Sequence, residues 1–223
     1  MKILKPPQCR GFLGFNCGST STTKVGAVDV LWKIYLKIFV ESLLSGTTPK
    51  KAIIYVKKLE HLADINEFLL EKLGHLDIVR DPDRVPWVIN WTNAGNVTIQ
   101  KIRERSSRPD GGIYLYITTT VMLLGLNLKD IEIVILFSPF NNLNSLVQAA
   151  GRAGRRGDDG LRCKSVLYAL YNHSEIRTNL PNFDNNVREF YKSNKCLKKF
   201  ISNAFSSSTF YNQYSDWCCS NCS

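Results

Sequence analysis

"IEIVILFSPFNNLNSLVQAAGRAGRRG", residues 131–157, changes its hydrophobic rhythm partway through. "IEIVILF" is apolar at nearly every position, the pattern of a strand buried on both faces, and a helix is expected around "NSLVQAAGRAG". A buried strand running straight into a helix is the repeating unit of a parallel sheet. The stretch closes on Arg152, Arg155 and Arg156, set among Gly151, Gly154 and Gly157. Arg152 and Arg155 stand three residues apart and share a side of a helix or turn. A planar guanidinium donating two parallel hydrogen bonds suits phosphate oxygens and stabilises charge that develops during phosphoryl transfer. Gly151 and Gly154 remove bulk beside them, and Gln148, one helical turn before Arg152, reaches toward the same place with an amide. The competing reading is a Gly-Arg loop that binds RNA loosely or is simply solvated.

The same unit recurs outward in both directions. "VDVLWKIYLKIFVESLL" (28–44) places Asp29, Lys33, Lys37 and Glu41 every fourth position, a polar stripe on an amphipathic helix. "KKAIIYVKK" reads as a buried strand, and "LEHLADINEFLLEKLG" as a helix with Leu59, Leu62, Ala63, Leu69, Leu70 and Leu73 on one side and Gly74 ending it. "VPWVINW", "GIYLYIT" and "KSVLYAL" read as further strands, "TIQKIRERSS" as a short basic helix and "TTVMLLG" as a helical turn. The fold class is therefore α/β, a parallel sheet flanked by helices, whose working site lies at the carboxyl ends of the strands. Residues 1–27 read as a loosely ordered lead-in and 28–175 as the α/β lobe. Residues 184–223 read as a small helical unit, with Val187, Phe190, Tyr191, Cys196, Leu197, Phe200 and Ile201 gathered on one side.

Lys plus Arg number 29 against 19 Asp plus Glu, a formal charge of +10, which attracts a polyanion. Nucleic acid is the first candidate. No stretch is long and uncharged enough to span a bilayer, so a membrane is not expected as a partner. The N-terminus lacks the apolar run and cleavage site of a secretory signal, which points to an intracellular, reducing compartment. Within the basic helix, Lys101, Arg105 and Arg108 fall on one face with Arg103 nearby, a track for DNA phosphates or a solvated face. Trp87, Trp91, Tyr114 and Tyr116 fit core positions better than base stacking. Four of seven cysteines, Cys196, Cys218, Cys219 and Cys222, gather near the C-terminus. They supply the four thiolates of a closed, structural Zn²⁺ site, with disulfides or core thiols as the alternative.

"QAAGRAGRRG" resembles the sixth motif of superfamily 2 helicases, "TTTVMLLGLNLKD" their fifth, and "AIIYVKK" the strand that opens their second RecA-like lobe. With the C-terminal cysteines, the chain is similar to the RecQ-like DNA helicases, in which that lobe is followed by a helical zinc-binding subdomain. The resemblance implies 3′–5′ ATP-dependent unwinding of single-stranded or forked DNA, DNA repair and recombination, and a nuclear setting. Arg152 and Arg155 would reach the γ-phosphate of ATP·Mg²⁺ held by a first RecA-like lobe, in cis or in trans. Gln148, Gly151 and Asn127 would line that cleft, and the segment from Thr118 and Thr119 to Asn127 would link nucleotide to DNA. Leu123 and Asn127 stand where the fifth motif usually has a glycine and an acid. "GSTSTTKV" (18–25) fails as a phosphate-binding loop because Thr23 and Val25 replace its second glycine and its hydroxyl. The chain is thus expected to carry only the arginine half of an ATP site. The alternative is a catalytically inactive zinc-containing module that binds nucleic acid or regulates a helicase.

Overall fold

The computed structural model describes residues 2–4, 27–73, 88–90, 113–119, 128, 130–153, 165–171, 173–177 and 183–205. Six strands, β1 (Lys2–Leu4), β2 (Ala52–Tyr55), β3 (Val88–Asn90), β4 (Leu115–Thr118), β5 (Ile133–Leu136) and β6 (Val166–Ala169), form one sheet in the order β1-β6-β5-β2-β4-β3. Every pairing is parallel. Among the described residues the helices are α1 (Ala27–Leu44), α2 (Leu59–Leu73), α3 (Leu143–Ala150), α4 (Asn185–Lys192) and α5 (Leu197–Ala204), with a 3-10 turn at His173–Ile176.

Side chains alternate across a strand, so each central strand feeds two cores. Ile53 and Tyr55 of β2, Tyr116 of β4 and Val134 and Leu136 of β5 join α3 and α4 in one buried cluster. Ala52 and Ile54, Leu115 and Ile117, and Ile133 and Ile135 point the other way and pack with α1 and α2. That two-sided burial is why β2, β4 and β5 are apolar at consecutive positions.

Lys33, Lys37 and Glu41 of the polar stripe on α1 are exposed, with Lys37 Nζ and Glu41 paired at 3.9 Å, while Leu36, Phe39 and Val40 are buried. On α2 the buried line is Leu62, Ile65 and Leu69. Ala63 and Leu70 lie outside it and are exposed, because an isoleucine at the intervening turn shifts the covered face. Two further differences from the sequence reading concern the ends. Lys2–Leu4, placed in the lead-in, is a strand that pairs with β6 in the register Lys2 to Val166. The C-terminal helical stretch is two helices rather than one. Ser193 closes α4, and Cys196 opens α5 with its sulfur accepting from Lys199 N at 3.4 Å. Val187, Phe190, Tyr191 and Leu197 share the cluster that contains the sheet residues, so this pair of helices packs onto the sheet.

Asp184 ties α3 to α4. One carboxylate oxygen accepts from Asn186 N at 2.8 Å, capping α4, and the other from Leu143 N at 3.4 Å, at the first turn of α3. α3 also has its own cap, Asn142, which accepts from Ser145 N at 2.8 Å. Lost caps cost about 1–2 kcal/mol. Asp184→Ala is therefore expected to lower the melting temperature by about 5 °C, and Asp184→Asn, which keeps an acceptor, to recover most of the loss. Thermal unfolding followed by circular dichroism checks both.

Candidate nucleotide and nucleic-acid interface

The strand ladders finish at one level. Val56 N donates to Thr118 O at 2.8 Å, Phe137 N to Tyr55 O at 2.9 Å and Leu170 N to Leu136 O at 2.9 Å. The segments that follow β2, β4 and β5 consequently emerge side by side at the carboxyl edge. Lys57 Nζ donates to Asn141 Oδ1 at 2.9 Å, joining the segment after β2 to the one after β5. Lys57, Lys58, Asn141 and Asn142 are exposed, and the Lys58 ammonium lies 4.0 Å from Glu60. An exposed row of ammonium and amide groups suits a phosphate backbone. Lys57, Lys58 and Asn141 escaped the sequence reading of the site. The only signal was the lysine pair that closes "AIIYVKK", since Asn141 meets it across 84 residues of chain.

Thr118 ends β4 at this edge but is fully buried, its hydroxyl donating to Thr119 O at 3.1 Å. Its side chain therefore braces the turn. Thr119 is half-buried and lies nearer the surface.

α3 starts after Asn142 and ends at Ala150, earlier than the sequence pattern suggests, with Gly151 as its C-cap. Gly151 N donates to Val147 O at 2.8 Å, Arg152 N to Ala149 O and Ala153 N to Ala150 O, both at 3.1 Å, so the helical winding tightens through the turn. Eight helical residues span about 12 Å, which sets Arg152 that far along the helix from the carboxyl-edge loop. Gly151 has φ −67°, an ordinary helical value. A methyl there would meet Val147 O at 3.3 Å and Gln148 O at 3.5 Å, both within its own turn.

Gln148 and Arg152 do not share an environment. Gln148 is exposed, whereas Arg152 is only 6 % exposed, and Ala149, Ala150 and Ala153 around it belong to the buried cluster on this face. The guanidinium is thus held in a largely dehydrated setting where charge acts strongly. Arg155, Asn127, Lys101, Arg103, Arg105 and Arg108 lie outside the described residues, as do Trp87 and Trp91. Tyr116 is buried, in keeping with a core role.

Among the cysteines of the C-terminal set, Cys196 is described, half-buried at the start of α5. Cys218, Cys219 and Cys222 lie outside the described residues. Among the described residues no three metal-ligating side chains converge, and no helix is long and apolar enough to cross a membrane.

Comparison with known proteins bears on the same segment. Residues 87–157, from just before β3 through the Arg152 turn, match the helicase conserved C-terminal domain. A curated relative, the probable ATP-dependent RNA helicase ddx51 of Dictyostelium discoideum, is 26% identical over 148 residues, which cover 65% of this chain and 24% of the relative. The chain thus spans about a quarter of that relative's length. Among solved structures, the C-terminal part of the Fun30 ATPase domain aligns with a TM-score of 0.48 and 17% identity over 82% of this chain and 55% of that one. Domain 2 of the Mss116p DEAD-box helicase bound to an RNA duplex aligns with a TM-score of 0.46 and 14% identity, covering 64% and 49%. β3, β4, β5 and α3 all fall inside the segment that is similar to the helicase conserved C-terminal domain.

Proposed function

We propose that this chain is the second motor lobe of an ATP-dependent nucleic-acid helicase. The observation that carries the reading is the match of residues 87–157 to the helicase conserved C-terminal domain, which takes in α3 and the turn with the buried Arg152. In this reading Arg152 and Arg155 answer the γ-phosphate of ATP·Mg²⁺ held by a first lobe, with Gln148, Gly151 and Asn127 beside them. The fork of each guanidinium neutralises charge on the transferred phosphoryl group. Lys57, Asn141 and Thr119 take the phosphates of a single strand at the carboxyl edge, and Lys101, Arg103, Arg105 and Arg108 extend that track. Thr118 holds the turn between the two sites.

The cysteine set favours a RecQ-like DNA helicase acting 3′–5′ on single-stranded or forked DNA in the nucleus. Cys196, presented at a helix start, with Cys218, Cys219 and Cys222 would hold a structural Zn²⁺ and hold the C-terminal segment in place. A second reading, an RNA helicase, is favoured by the name of the curated relative. Fluorescence anisotropy of the full chain with matched single-stranded DNA and RNA separates the two by the preferred strand. Lys57→Ala with Lys58→Ala is expected to weaken binding about tenfold and to reduce the salt slope by about two. Unchanged affinity and slope would remove the carboxyl edge from the nucleic-acid path. Turnover of ATP by the chain alone would contradict the two-lobe site, and its appearance only with a first lobe is the expected result.

A further inference from the structure

Three exposed asparagines, Asn141, Asn142 and Asn185, surround Asp184 where α3 and α4 begin. Asp184 N donates to Asn141 O at 2.8 Å, the Asp184 carboxylate accepts from Leu143 N at 3.4 Å, and Asn185 follows Asp184 in the chain. The three therefore lie together at the carboxyl edge of the sheet. Each has its side-chain oxygen occupied by a donor of the protein. Asn141 Oδ1 accepts from Lys57 Nζ at 2.9 Å, Asn142 Oδ1 from Ser145 N at 2.8 Å, and Asn185 Oδ1 from the Arg188 guanidinium. An ammonium, a backbone N–H and a guanidinium can only donate, so each amide must turn its oxygen to that donor, which leaves its NH₂ for a ligand. We propose that these NH₂ groups form a donor row for the sugar–phosphate backbone of a single nucleic-acid strand, carrying it from the sheet edge onto the start of α4. The inference rests on the helicase-lobe reading and extends its strand path to Asn142 and Asn185.

Chemistry narrows the ligand. A surface of amide NH₂ groups beside the Lys57 ammonium offers donors, so it fits a chain of acceptors, which is what phosphate and sugar oxygens are. With their oxygens already tied down, the amides lose little freedom on binding. The backbone amides of the helix starts are not the site: Leu143 N and Asn186 N go to the Asp184 carboxylate, and Ser145 N goes to Asn142. Asp184, each oxygen engaged by a backbone N–H, braces the row. Its charge disfavours a lone phosphate at its side, whereas a strand already held by Lys57 brings its neighbouring oxygens past it to the neutral amides.

The test is fluorescence anisotropy of the full chain with a labelled oligothymidylate and a labelled oligouridylate, followed through a salt series. Asn142→Asp and Asn185→Asp keep the acceptor that caps α3 or meets Arg188 but remove the NH₂. Melting temperatures should hold, while affinity for the strand falls about tenfold in each. Asn142→Ser caps the helix as well without adding charge. It should weaken binding about fivefold at an unchanged salt slope, because a neutral amide displaces no counterion. Thr48→Asp, at an exposed position ahead of β2 and so at the other end of the strands, should stay within about twofold of the parent, its charge being screened over that distance. Undiminished binding by Asn142→Ser and Asn185→Asp would overturn the proposal, as would losses confined to the Asp variants, which are then simple repulsion. Lys57→Ala with Lys58→Ala, run alongside, separates this row from the path it extends. If the lysine variant weakens binding and the asparagine variants do not, the row falls and the carboxyl-edge path stands; if neither set weakens binding, both fall.

Discussion

Arg152→Ala, in the chain assembled with a phosphate-loop lobe, is expected to lower ATP turnover by about three orders of magnitude and to leave nucleic-acid binding unchanged. The size follows from where the guanidinium sits. At 6 % exposure it has already shed most of its water, so little reorganisation is needed when charge moves onto the transferred phosphoryl oxygens. The turn that carries it is fixed by consecutive short-range hydrogen bonds from Gly151, Arg152 and Ala153, which limit how far the side chain can wander. Arg152→Lys discriminates between chemistry and architecture, because it keeps the charge and much of the volume but loses the planar fork. Turnover should stay low in Arg152→Lys while its melting temperature returns toward that of the parent. Steady-state ATP hydrolysis and thermal unfolding, measured on the same samples, decide the matter. If turnover in the two variants simply follows their melting temperatures, Arg152 is an architectural cation and the phosphate role passes to Arg155.

Phe190→Ala is expected to cost about 3–5 kcal/mol and to lower the melting temperature by about 10 °C. Phe190 is fully buried on α4. Its ring meets Tyr191 edge-on at 5.3 Å and Phe200 of α5 at 6.1 Å, inside the cluster that also contains Tyr55 and Leu136 of the sheet. Removing it leaves a void where three layers meet, and rigid strands on one side prevent collapse. Domains of this size are stabilised by only about 5–15 kcal/mol, so the loss is a large share of the total. Because the helices and sheet share one core, calorimetry should show a single transition that moves as a whole. Two separated transitions in the variant would show that α4 and α5 melt independently of the sheet.

The parallel sheet was legible in the sequence because strands sealed on both faces leave a run with no polar alternation, as in "AIIYV" and "IEIVILF". The arginine-bearing turn was legible for a different reason: the order of strand, helix and Gly-Arg run is unusual enough to carry meaning by itself. Helix faces were less readable. The apolar side chains of α2 outnumber the places the sheet can cover: Ile65 is fully buried, while Ala63 is exposed and Leu70 is left 51 % exposed. What pattern could not show was contact between distant segments. The Lys57 to Asn141 bond, the Asp184 carboxylate serving two helices, and the pairing of Lys2–Leu4 with β6 depend on register and layer geometry that local periodicity does not encode. Arg152 is the sharpest case. Its charge and spacing suggest an open surface, yet the alanines around it draw the turn into the core.

The pairing of β1 with β6 also bears on handling of the protein. Lys2–Leu4 pair with a row of three of the four residues of β6, Val166, Leu167 and Tyr168. Trimming the chain to begin at α1 would bare that row, and an uncapped parallel border next to the half-covered Tyr168 invites a foreign strand to add itself. By covering that border, Lys2–Leu4 guard it against self-association.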